Sequence, residues 1–114
     1  MPQIPESIKK DVMMLQQMQQ QSQMFMFQKQ SVQLQTSEID NAIKELEKTQ
    51  ENEVYEIVGT IMLKKDRKEL EKALKEKKEV LDLRLTTIDK QLEKIESEAR
   101  KLQEKVSKEI KSGE

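Results

Sequence analysis

Between Glu6 and Gln50 the chain contains neither Gly nor Pro, while apolar residues recur every three or four positions. A stretch this long without a breaker is either one continuous helix or an unfolded polar segment, and apolar spacing separates the two. With Ile8, Leu15, Ser22, Lys29, Thr36 and Ile43 at heptad position a, position d reads Asp11, Met18, Phe25, Val32, Ile39 and Leu46. The d seam is apolar in all but one place and the a seam is half polar. A narrow stripe with this period is what one helix offers to a single partner helix.

A second periodic stretch runs from about Arg67 to Lys111, with Leu74, Leu81, Ile88, Ile95, Leu102 and Glu109 at d. Its a positions are Lys78, Leu85, Leu92, Ala99 and Val106. Asp66 and Glu69 have the spacing of an N-cap with a reciprocal capping partner, and Ser112-Gly113 supplies a stop. Each helix of about 45 residues would extend roughly 65–70 Å at 1.5 Å per residue.

The segment between them has another character. Val54-Tyr55-Glu56-Ile57-Val58-Gly59-Thr60-Ile61-Met62-Leu63 holds the chain's one Tyr and a concentration of β-branched residues split by Gly59. It suits two short strands about a Gly-Thr turn, spanning about residues 54–65. Equal helices on either side of a short β connector predict an antiparallel pair within one chain. The expected fold is therefore mainly α, a long antiparallel coiled-coil hairpin with one short β-hairpin at the bend. A lone strand pair is marginal in water and leaves backbone groups unpaired at its edges. The strands are thus expected to join strands from other subunits.

Composition then narrows the chemistry. Among 114 residues 38% are charged and 34% hydrophobic, with 21 basic and 22 acidic side chains nearly cancelling. Disorder favours a lopsided charge, so the balance agrees with helices. There is no Cys and no His, which removes thiol catalysis, disulfides and the common zinc sites. A net charge of −1 gives no footprint for nucleic acid, and no apolar run approaches the roughly 20 residues that cross a bilayer. Residues 1–6 lack the basic start and apolar core of a signal peptide, which predicts a reducing, cytoplasmic setting. Paired carboxylates such as Glu96 and Glu98 have no pocket to perturb them, and no glycine loop could cradle phosphate. The chain reads as a non-enzyme without cofactor or metal.

Charge is unevenly placed. From Val12 to Ser37 the single charged residue is Lys29, and six of the seven Met lie within the first 26 positions. From Lys64 to Glu114, 29 of 51 residues are charged. Met13 and Phe27 fall at f, facing away from the seam, and Val12 and Met14 fall at its flanks. Ile4, Ile8, Val12, Met13, Met14 and Leu15 form the candidate binding surface, because exposed Met adapts to partners of varied shape. For Met24, Met26 and Phe27 two readings stand: a wider seam or packing on a neighbouring subunit, and a partner surface. Lys64-Lys65-Asp66-Arg67-Lys68 reads as a solvated face, since acidic residues follow at once.

Val54-Tyr55-Glu56-Ile57-Val58-Gly59, then Ile61-Met62-Leu63-Lys64 leading into a charged helix, resembles the β class of prefoldin subunits. The resemblance covers the whole chain, including the Gln-rich first helix with Gln28-Lys29-Gln30, and treats residues 1–114 as one prefoldin-like domain. A single strand pair points to the β class, since α-class subunits have two β-hairpins. The resemblance implies an ATP-independent holdase chaperone, a hexamer of two α-class and four β-class subunits joined through an intersubunit β-barrel. Val54, Tyr55, Ile57, Val58, Ile61 and Leu63 would hold that platform together. The helical tips would grip non-native client proteins and pass them to a group II chaperonin. The Lys/Glu-rich second helix and short tails point to an archaeal source. The competing reading is a structural or adaptor coiled coil that binds one defined partner.

Overall fold

The computed structural model describes residues 4–112 of the chain, so Gly113 of the expected helix stop and Glu114 lie outside the described residues. The order of elements is α1 (Glu6–Lys48), β1 (Glu53–Val58), β2 (Ile61–Asp66) and α2 (Arg67–Ser112). Two long helices with a short antiparallel β-hairpin between them match the fold expected from the sequence.

Local chemistry sets the element ends. The Pro5 carbonyl accepts the amides of Ile8 and Lys9, each at 3.1 Å, and Glu6 places a carboxylate at the positive end of α1. At the other end the Thr49 hydroxyl accepts the Glu51 amide at 3.3 Å. That short loop turns the chain out of the helix, so α1 stops at Lys48, two residues before periodicity alone would end it. The Glu69 amide donates to the Asp66 carboxylate at 3.1 Å, which is the N-cap bond the spacing predicts. Strand β2 runs directly into α2 through this cap.

The chain forms two compact units, one of residues 4–30 and 87–112 among those described, the other of residues 31–86. Within the first unit the helical segments run antiparallel, with Lys105 ion-paired to Asp11 at 3.3 Å and Lys29 to Asp89 at 2.8 Å. Ile8, Ile88 and Ile95 are its buried apolar residues. Within the second unit Lys78 meets Asp40 at 2.5 Å and Lys75 meets Glu47 at 3.7 Å, again antiparallel. Val32, Ile39, Ile43, Leu46 and Leu81 are buried there. Each such side chain contributes about 1.5–3 kcal/mol by leaving water, so a handful of seam layers dominates the stability of either unit.

Every a and d position assigned from the period is buried or half-buried. Four polar members of the seam have partners. Lys29, Lys78 and Asp11 each reach an opposite charge on the other helix. The Thr36 hydroxyl donates to the Val32 carbonyl at 2.9 Å. A charged residue among apolar layers lowers stability but fixes which layers face each other, because any slip separates the pair.

Candidate functional site

Two surfaces are candidates, one in each unit. The first follows from two small residues. Ser22 and Ala99 both occupy a positions, between the larger d residues Met18 and Phe25 on α1 and Ile95 and Leu102 on α2. Neither fills its share of the interface, so a groove of about 670 Å³ opens along one side of the seam. Val12, Leu15, Met18 and Met26 of α1 and Leu92 and Ile95 of α2 form its apolar lining, with Gln16, Gln19, Gln103 and Glu96 around them. A smaller hollow of Ser22, Gln23, Met26, Phe27 and Gln30 adjoins it on α1, and Leu15, Gln103, Val106 and Ile110 line another. An open apolar trough edged by amides suits an apolar segment whose own backbone still needs hydrogen-bond partners.

The sequence-derived binding residues divide by position. Ile4, Val12, Met13 and Met14 are exposed, and Val12 forms part of the groove wall. Leu15 is half-buried on the groove floor. Ile8, at 6% exposure, sits inside the seam and presents no surface to a partner. Its heptad position a already required that. Met24, Met26 and Phe27 are exposed, and Met26 turns toward the groove. Periodicity alone did not single out Ser22, Leu92, Ile95 and Ala99 as groove residues. The available signal was one small side chain at an a position of each helix, Ser22 and Ala99, legible only once the antiparallel register is known.

Close to Ile8 in sequence, Asp11 is buried at 7% exposure, a charge in a d layer. Lys105 supplies its counter-charge and also approaches Glu109 at 3.9 Å. This polar layer keeps the helical register next to Ile8, where apolar knobs are few.

The second surface is the β-hairpin. Val58 pairs with Ile61 across a two-residue loop, Gly59-Thr60. Gly59 has φ of 61° and Thr60 does not share the left-handed region, which makes a type II′ turn with Gly at its first central position. The register then sets Ile57 against Met62, Tyr55 against Lys64, and Glu56 against Leu63. Tyr55, Ile57 and Met62 occupy one face, and Val58, Ile61 and Leu63 the other; all six are exposed. Val54 is half-buried. A sheet of two strands with apolar side chains exposed on both faces and two unpaired edges carries the signature of an interface. Met62 belongs to this surface although the sequence reading did not name it. Its signal is parity: through a two-residue turn, the partner of Ile57 must be residue 62.

Arg67 secures the base of the hairpin. Its amide donates to the Asn52 carbonyl at 2.8 Å and its Nε to the Glu51 carbonyl at 2.9 Å. Its guanidinium approaches Glu71 at 4.0 Å, Glu71 pairs with Lys75 at 3.0 Å, and Lys75 reaches Glu47 on α1. The Glu71 hydrogen bond holds the Lys75 pKa above its ordinary value, and the Asp40 hydrogen bond does the same for Lys78. The basic cluster read as a solvated face therefore contains one residue with a structural task. Lys64 stays exposed as expected, pairing with Glu53 across the strands at 2.9 Å.

Among the described residues no group of His, Cys, Asp and Glu is arranged to hold a metal ion. No helix among them is long and apolar enough to cross a membrane.

Two long helices with a short antiparallel β-hairpin between them thus carry two exposed apolar surfaces, the strand pair and the groove. The chain belongs to the prefoldin subunit family, whose model matches residues 9–113. It is 38% identical to the prefoldin subunit beta of Methanothrix thermoacetophila over 68 residues, 59% of this chain and 57% of that protein. The aligned part thus spans little more than half the length of that relative. The crystal structure of the prefoldin beta subunit from Thermococcus strain KS-1 superposes with a TM-score of 0.85 at 32% identity, covering 95% of this chain and 96% of that one.

Proposed function

We propose that the chain is a β-class subunit of an ATP-independent holdase chaperone. In this reading residues 1–114 act as one prefoldin-like domain in the cytoplasm, without catalysis. The β-hairpin joins others in a barrel of two α-class and four β-class subunits. Non-native proteins rest against the apolar surface of the first unit and are passed on to a group II chaperonin. Family membership and the likeness to two β subunits support the assembly. The observation that carries client binding is the groove with its exposed surroundings. Val12, Met13, Met14, Met24, Met26 and Phe27 lie exposed on a helix segment whose single charge, Lys29, is engaged with Asp89. Such a surface gives weak, shape-tolerant contact, and several copies acting together supply useful affinity by avidity. Ile8 and Leu15 contribute by holding the seam beneath it.

The test replaces V12Q, M13Q and M14Q together, which keeps helix propensity and leaves Ile8 in place. The assembled variant should lose most of its suppression of aggregation for several unrelated unfolded proteins, with unchanged native mass. Equal protection by variant and parent would sink the surface assignment. Protection of one protein alone by the parent would favour an adaptor instead.

A further inference from the structure

Four thioethers form much of the exposed apolar surface of the first unit. Met13 is 62% exposed, Met24 53%, Met26 44% and Met14 41%, whereas Met18 is half-buried in the seam. The large apolar residues exposed beside them are Ile4, Val12, Phe27 and Ile110. Methionine is the one apolar side chain here that a mild oxidant converts into a polar one. The four also avoid positions a and d, so the layers that hold the helices together do not include them.

We propose that Met13, Met14, Met24 and Met26 constitute an oxidation site that switches this surface from apolar to polar while the seam beneath it stays paired. The co-reactant is a hydroperoxide. A sulfur lone pair attacks the distal peroxide oxygen, an S–O bond forms as the O–O bond breaks, and the thioether gives up two electrons. Water or an alcohol leaves with the peroxide's proton, and the product is the sulfoxide. Each sulfoxide carries a strong dipole and a good acceptor oxygen, so an apolar segment lying against it must give up water from that group without replacement. The change is reversible by methionine sulfoxide reductase. In its consequence for clients the inference rests on the proposed holdase role; its chemical part does not.

The experiment treats the full chain in its assembly with hydrogen peroxide and follows three readouts. Peptide mass spectrometry should find Met13, Met14, Met24 and Met26 oxidised ahead of Met18. Binding of an anilinonaphthalene dye, which reports apolar surface without any client, should fall several-fold while the thermal melt by circular dichroism is unchanged. Suppression of client aggregation should fall in parallel and return after reductase treatment. A variant with M13L, M14L, M24L and M26L, compared with its own untreated sample, should show no peroxide effect on dye or client. Oxidation of Met18 as fast as Met13, a lost helical melt, or an equal peroxide effect in the leucine variant overturns the proposal. If the untreated parent holds no client, the holdase reading fails, and the dye and mass readouts still decide this one.

Discussion

At the scale of single residues, the heptad position of a side chain predicts its environment and therefore the cost of changing it. Ile88 sits at d and is among the most buried side chains of the first unit, while Phe27 sits at f and is largely in water. Truncating Ile88 to Ala should cost about 2–5 kcal/mol, and Phe27→Ala about 0.5 kcal/mol or less, as read by denaturant unfolding. Comparable losses would mean that the f face is covered and the seam assignment incomplete. These positions are legible in the sequence because the period is regular over both helices. The partners of polar seam residues are not: that Lys29 meets Asp89, and Lys78 meets Asp40, depends on where the two helices align. Arg67 was hidden for a different reason. Its contacts are backbone carbonyls of Glu51 and Asn52, and carbonyls leave no trace in a side-chain pattern.

At the scale of elements, the hairpin was the most readable part. A β-branched run divided by Gly59 specifies two strands, and a two-residue loop with Gly at φ of 61° fixes their register. Six exposed apolar side chains on two faces then follow from alternation alone. The groove was less readable, since it arises from what is missing. Ser22 and Ala99 are unremarkable letters until the opposing helix leaves a space beside them. Filling it tests whether the space is functional. Ser22→Leu should raise the unfolding free energy by about 1 kcal/mol or more through new apolar burial, and lower the capacity to suppress client aggregation. A more stable variant with full capacity would place the working surface elsewhere, on the outer Met and Phe side chains.

At the scale of the whole molecule, the two surfaces suggest a division of work between the units. The hairpin in one carries strands that are unfinished on their edges and faces, and the helical seam in the other carries an open, adaptable trough. Family membership supports the assembly, and the charge pattern explains how such a surface is kept from indiscriminate association. Helix α2 is dense in Lys and Glu, with Arg100 and Glu96 paired at 3.0 Å on its exposed face. A mixed-charge helix beside a stretch of α1 whose single charge from Val12 to Ser37 is Lys29 keeps the apolar patch bounded. In the proposed function the strand pair is the joint between subunits. Native mass spectrometry of this chain purified with a co-expressed α-class subunit addresses it most directly. A single species with the mass of two α-class and four β-class chains is expected if the strand pair joins subunits, dispersed by polar replacement of Ile57 and Met62. A mixture in which this chain stays at its monomer mass of 13.5 kDa would contradict it.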